Sequence, residues 1–412
     1  MFLFSLLSLI ASREHRVLAL LSEKGEKEQY QTFFNDLTSI GCKVTYRVCN
    51  QKVAQLERFG QHLFDTVVIL CSKSTCIGNN GEDLNDFLDQ GCNAIVFNSA
   101  YGNDIQEKVY RHLNLRVVSS YKISDVFDNN QVTLRKIVAP KNIVPNKISP
   151  LIFEGGFSTI ERPNDFRFPI VVGGLEHKLS IADRLVYSQS IANEMIPICA
   201  FQARTAGRVI VINSVNFASD EIYNTKVTMG EDFLPLPTPV DNGNRQLMKD
   251  LQKWVTHYHS HVKVDAATHY AEDTGVSPVQ YHIKQNIVVL ANLSYVKDGE
   301  WLPYESDDVQ VEVFMLGTFV RRHMKRVAPG QYTETLMLPD RAGNYWIKVF
   351  TGKEGWMNAR EEMAIAVRPL AIREKEKFLD CAKPYQVSMM LTMAAAFLAS
   401  VHFLYHKPST TQ

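Results

Sequence analysis

Cysteine is scarce in this sequence, with seven among 412 residues, too few for a disulfide scaffold. Charge of one sign is not in excess either. Lys+Arg and Asp+Glu each number 44, so the broad basic field that nucleic-acid binding draws on is missing. No G-x-x-x-x-G-K-[ST] occurs, and no G-x-G-x-x-G follows the first apolar run. The two phosphate-cradling loops are thereby excluded. H-E-x-x-H and C-x-x-C are also absent. What is present is ordinary for a globular chain, at 45% hydrophobic and 21% charged. That composition excludes a disordered chain and a polytopic membrane protein.

The averages hide two apolar ends. Residues 2–11 read FLFSLLSLIA, followed by Ser12, Arg13 and Glu14. Ten residues are too short for a membrane helix but fit the apolar region of a secretory signal, with Ala11 and Ser12 near a cleavage point. Residues 1–12 are therefore read as a signal peptide, although no positive charge precedes the run. At the other end, residues 385–405 contain no Asp, Glu, Lys or Arg. Twenty-one residues at about 1.5 Å rise span roughly 31 Å, the thickness of a bilayer core. Tyr385 and Tyr405 sit where aromatic belts form, with Lys383 and Lys407 outside them. Pro384 can start the helix and Pro408 follow its end. Ser388, Thr392, Ala395 and Ala399 are small enough to admit a neighbouring helix closely. The expected topology is single-pass type I: body in the lumen, helix 385–405 in the membrane lipid, and tail 406–412 in the cytosol. Asn292-Leu293-Ser294 is the sequon and makes Asn292 a glycosylation candidate in that compartment.

The body falls into segments. Within 13–150, apolar runs at 17–21, 43–48, 66–70 and 94–97 alternate with helical spacing at 26–40 and 82–88. Gly41 and Gly91 end the two helices. Strands alternating with helices indicate a doubly wound α/β domain of flavodoxin-like or amidotransferase-like type. A middle α/β segment, 151–262, packs on it. It contains the strand 208–213 and a helix at 244–257, with Leu247, Leu251, Trp254 and Val255 on one face. Residues 233–244, with Pro235, Pro237 and Pro239, read as an exposed loop. From 263 to 370 the period becomes two, as in Val309, Val311 and Val313, or Tyr345, Ile347 and Val349. Such strands predict a β-sandwich. Asp340, Gly343 and Tyr345 have the spacing of a tyrosine corner. Residues 371–384 link this domain to the membrane helix.

No catalytic set emerges. Cys71 follows a strand, as a nucleophile would, but Leu70, Ser72 and Lys73 are not the small neighbours a nucleophile elbow needs. Class I glutamine amidotransferases resemble this topology, yet the glycine-flanked cysteine is missing. The lumen permits a disulfide such as Cys71–Cys76. His257, His259 and His261 alternate as strand residues that bind zinc would, without a carboxylate or cysteine nearby. Glu161, Asp165 and Glu176 have no acid/base spacing. Arg321, Arg322, Lys325 and Arg326, beside His323, form a basic run suited to a solvated hairpin, an acidic partner or lipid headgroups. The acids of 22–26 (SEKGE) would repel a phosphate. No cofactor or metal is implied.

Several passages resemble the family of 48 kDa non-catalytic subunits of the endoplasmic reticulum oligosaccharyltransferase. They are 17–46 with Phe33, Phe34 and Gly41; 87–97; the run QARTAGRVI at 202–210 with Asp220 downstream; 301–313 and 338–349; and Val367-Arg368-Pro369-Leu370 ahead of the last helix. The resemblance is collinear over nearly the whole chain. It implies an accessory subunit of the complex that moves a preassembled glycan from dolichol diphosphate to Asn in N-x-[ST]. Its partners would be a polytopic catalytic subunit, small membrane subunits and a ribophorin-like subunit, with no catalytic residue of its own. Two alternatives compete: a membrane-anchored thiol hydrolase or amidotransferase using Cys71, and a luminal glycan receptor using Trp301, Trp346 and Trp356.

Overall fold

The computed structural model describes residues 15–49, 54–70, 82–98, 109–118, 122–125, 132–160, 166–173, 177–181, 184–186, 195–203, 205–229, 235–353, 355–356, 359–374 and 380–406. The signal segment 1–12 and the tail 407–412 lie outside them.

The first body is organised on a seven-stranded sheet. Four strands come early: β1 (His15–Leu21), β2 (Cys42–Val48), β3 (Thr66–Ile69) and β4 (Asn93–Phe97). All their pairings are parallel, β1 with β2, β1 with β3 and β3 with β4. Three more follow: β5 (Arg167–Val171), β6 (Ile198–Gln202) and β7 (Arg208–Ile212). Strand β7 joins β4 in parallel, whereas β6 and β5 extend the sheet antiparallel. The order is β5-β6-β7-β4-β3-β1-β2.

Both faces of this sheet are covered, which explains the unbroken apolar runs. Val17, Ala19 and Leu21 enter one cluster, with Phe33, Phe34, Leu37, Leu247, Leu251 and Trp254. Leu18 and Leu20 enter the other, with Leu84, Phe87, Leu88 and Val109. The single helix expected at 26–40 is two, α1 (Glu26–Gln29) and α2 (Gln31–Ser39). Tyr30 leaves helical geometry between them at φ −116° and ψ 28°. Its buried ring extends to the Val215 carbonyl, which accepts its hydroxyl at 3.2 Å. Helix α3 (Glu82–Asp89) is followed by Gly91 at φ +94°. Helix α4 (Asp220–Asn224) is capped by Ser219, whose hydroxyl accepts from the Ile222 N–H. Helix α5 (Asn244–Val255) buries Leu247, Leu251, Trp254 and Val255.

The proline-rich stretch is not a loop. β8 (Lys226–Met229) pairs antiparallel with β9 (Pro235–Asp241). In a two-stranded ribbon each strand has one free side, so alternate prolines cost no ladder bond there.

The second body begins after α5. It comprises β10 (His261–Ala271), β11 (Tyr281–His282), β12 (Asn286–Lys297), β13 (Glu300–Pro303), β14 (Gln310–Phe314), β15 (Thr318–His323), β16 (Lys325–Ala328), β17 (Gln331–Met337), β18 (Gly343–Phe350) and β19 (Arg360–Arg368). One sheet runs β10-β12-β17-β16 with β13 on β12; the other runs β11-β19-β18-β14-β15. Alternate residues of both meet in one cluster, including Val289, Ala291, Leu336, Val311, Val313, Ile347 and Val349. The Tyr345 hydroxyl donates to the Arg341 carbonyl at 2.7 Å, the bond that its spacing from Asp340 and Gly343 anticipated. Finally α6 (Lys383–Tyr405) carries no buried residue.

Candidate functional site

The end of β1 is where a doubly wound sheet would present a phosphate site. Here Glu26 folds back and its carboxylate accepts the Ser22 N–H at 2.8 Å. The donor that could face an anion is thus already held by an acid of the same chain.

Cys71, Cys76, Glu161, Asp165 and Glu176 lie outside the described residues. Cys49 is disulfide-bonded, while Cys42, Cys92 and Cys199 are buried outside any disulfide and Cys381 is exposed. Burial pushes the thiol of Cys42 up to about 11 and that of Cys199 to about 12. Both stay protonated, the unreactive form.

The histidines do not assemble a three-ligand set. No group of three or more His, Cys, Asp or Glu that could hold a metal occurs among the described residues. Two of the rings do meet, those of His257 and His261, at 5.3 Å between centroids. The alternating-strand reading fails because α5 ends at Val255 and His257 and Ser260 both take left-handed backbone, with φ +57° and +58°. Burial holds His257 well below the usual imidazole range, reinforced by the positive Arg208. It holds His261 at about 4.

The basic run is matched by acids. Arg321 clasps Glu312 at 2.7 and 3.1 Å, and Thr318 donates to the other carboxylate oxygen. Burial pushes the Glu312 pKa up, but these hydrogen bonds prevail and hold it below the usual carboxylate range. Arg322 pairs with Glu334 at 3.7 Å and Arg326 with Glu305 at 3.4 Å. Of the three tryptophans, Trp301 is half exposed, but Lys263 lies 4.1 Å over its ring and His261 meets its edge. Trp346 is half exposed. Trp356 packs against Tyr295 and Tyr304 at 5.4 and 5.7 Å.

The passage around QARTAGRVI turns out to be the junction of the two bodies. Arg208 is wholly buried and donates to the carbonyls of Trp254, His259 (3.0 Å) and Ser260 (2.6 Å). It thereby caps the end of α5 and fixes the crossing into β10. Burial without a carboxylate pushes its guanidinium down to about 9. The Asn93 side-chain oxygen accepts the Arg208 N–H at 2.9 Å and lies 3.2 Å from His257 Nε2. From the second body, the Gly355 carbonyl accepts the Trp254 indole N–H at 2.8 Å, and the Trp356 carbonyl accepts from Gln202. A Cβ on Gly207 would lie 2.8 Å from the carbonyls of Leu88 and Cys92, so only glycine fits there. The sequence marked this run only through resemblance. A lone arginine ahead of four apolar residues was the visible signal, but its partners lie 46 to 52 positions away.

Helix α6 has 23 residues and is apolar on every side, at about 1.5 Å per residue long enough to cross a bilayer. Its hydroxyls are self-satisfied: Ser388 donates to the Tyr385 carbonyl, Thr392 to Met389 and Ser388, and Ser400 to Ala396. Ser388, Thr392, Ala395 and Ala399 follow one another at three- and four-residue steps, hence along one stripe. His402, which the sequence reading missed, continues that stripe. Asn292 is exposed on β12.

The chain matches the OST48 N-terminal domain over residues 8–257 and the OST48 middle domain over residues 267–407. It is 25% identical over 412 residues to the dolichyl-diphosphooligosaccharide–protein glycosyltransferase 48 kDa subunit of Arabidopsis thaliana, covering 96% of this chain and 93% of that one. The subunit of the same name from Drosophila melanogaster is 25% identical over 430 residues, covering 97% and 93%. That of Danio rerio is 25% identical over 408 residues, covering 95% and 91%. Among solved structures, the mmIFT52 N-terminal domain is similar over 58% of this chain and 97% of its own, at 10% identity and a TM-score of 0.42. Matched in order through both domains and into the apolar helix, the chain belongs to the OST48 family.

Proposed function

We propose that this chain is an accessory, non-catalytic subunit of an oligosaccharyltransferase, the complex that transfers a glycan from dolichyl diphosphate to Asn in N-x-[ST]. One observation carries the reading: relatives bearing that subunit name align over 95–97% of the chain, and the match to the family's middle domain runs through α6. The body occupies the endoplasmic reticulum lumen and α6 anchors it in the membrane, with the small-residue stripe offered to membrane neighbours. A polytopic subunit performs the chemistry, and small membrane subunits and a ribophorin-like subunit complete the assembly. The relatives favour neither a thiol enzyme nor a glycan receptor.

The strand order β2-β1-β3-β4 supports a flavodoxin-like first domain. The single cluster shared by the two later sheets supports a β-sandwich. Segments 13–150 and 151–262 contribute to one sheet, 263–370 forms the sandwich, and 371–384 is the link. Asn292 faces outward from β12, which supports glycan attachment there, whereas the Ser294 hydroxyl two residues on is buried. A mild-detergent pull-down of the full chain tests the function. Recovery of a polytopic glycosyltransferase is expected. Purification as a solitary stable monomer from native membranes overturns it.

A further inference from the structure

The two ends of the second body are unlike. One end docks on the first body through Gly355, Trp356 and an Asp298–Lys253 pair at 2.9 Å. The other gathers the start of β18, the end of β19 and the turn after β14, since Gly343 pairs with Val367 and Phe314 with Trp346. Tyr281 joins it by pairing with Val367. From this end the chain departs toward α6.

Apolar side chains protrude there. Among the described residues outside α6, four large apolar side chains are more than 85% exposed: Phe59, Val279, Leu316 and Ile372. Three of the four belong to this end. Leu316 tips the β14–β15 turn, Val279 lies two residues before Tyr281, and Ile372 follows β19. Val276, 64% exposed, shares the loop of Val279. Two charge pairs between these tips are internally compensated, Lys284 with Asp340 at 2.8 Å and Arg368 with Glu374 at 2.9 Å, while Glu272, Asp273, Arg341 and Arg373 stay exposed to solvent. Pairing lowers the cost of bringing the paired groups near an apolar phase.

The leash is short. Glu374 is fixed to the body by Arg368 and by the Ala371 N–H. Helix α6 begins at Lys383. Nine residue steps at about 3.3–3.6 Å reach at most roughly 30 Å, and Asp380–Ala382 is a tighter 3-10 turn.

We propose that this end of the second body rests on the bilayer interface, with Leu316, Val279, Val276 and Ile372 as its lipid-contacting tips. The inference rests on the reading of α6 as a membrane anchor. Continuity with that anchor selects lipid as the occupant. Isolated aliphatic tips on otherwise polar loops suit the interfacial layer, where apolar groups enter to a depth of about 5–10 Å while charged neighbours stay in the headgroup water.

The test places a benzophenone side chain singly at Leu316, Val279, Phe59 or Met393 of the full chain. Membranes carry an alkyne-tagged phosphatidylcholine. After illumination, lipid adducts are expected at Leu316, Val279 and Met393 and not at Phe59. Adducts at Leu316 and Val279 to protein only, or lipid labelling no greater than at Phe59, overturn the proposal. Loss of the adduct at Met393 as well shows that the anchor reading itself has failed.

Discussion

The two bodies solve the same problem with opposite patterns. In β1, five successive residues from Val17 to Leu21 are buried, feeding clusters on both sides of the sheet. In β17, Leu336 is buried and its neighbour Met337 is 57% exposed. The first sheet has helices on both faces; the second pair of sheets share one core and keep a wet side each. The first pattern makes every position structural. The second leaves alternate positions free for partners, solvent or sugar.

The junction joins these two patterns, and breaking it has the largest expected effect. Arg208→Ala orphans the carbonyls of Trp254, His259 and Ser260. At about 1–3 kcal/mol for each buried unsatisfied group, a loss of about 4 kcal/mol is expected. Thermal denaturation of the full chain in detergent measures it. A loss confined to the surface-pair scale of about 1 kcal/mol would mean the two bodies do not depend on this contact.

Adjacent substitutions sharpen the contrast at the next magnitude. Leu20→Ala and Leu21→Ala should each cost about 2–5 kcal/mol. Leu336→Ala should cost as much, while Met337→Ala stays within about 0.5 kcal/mol. Unequal effects at 20 and 21, or equal ones at 336 and 337, would erase the distinction.

The smallest expected effect is on acidification. Burial lowers both His257 and His261, the latter to about 4. His15, Arg208 and Lys263 add positive charge around them. The folded state therefore binds fewer protons than the unfolded one between pH about 6.5 and 4. The junction's contribution is complete above about 6.5 and declines as pH falls toward 4, by about 1 kcal/mol per histidine over the first pH unit. His257→Asn, which tolerates left-handed backbone, should flatten that limb in a pH series of melting temperatures. An unchanged slope would place the titration elsewhere.

Most strands were legible because burial on two faces writes continuous apolar runs and burial on one face writes alternation. The tyrosine corner was legible from a spacing of three residues. Strands β5 and β6 were not, because their place in the sheet is set by pairing with β7 and not by local periodicity. The break at Tyr30 leaves the apolar spacing of Phe33, Phe34 and Leu37 intact, so nothing in the pattern announces it. Arg208 was visible as a residue but not as a cap, since its partners arrive from a distant helix end. His257, His259 and His261 alternate as strand residues would, but they follow the end of α5, where the backbone turns at His257 and Ser260.

Helix α6 settles its own hydroxyls on its own backbone. Its hydroxyls therefore make no chemical demand on whatever lies beside it, which leaves the His402 imidazole as the polar group on the small-residue stripe. The helix can be laid into the bilayer ahead of its companions and wait, so assembly order need not be dictated by the solubility of this one segment.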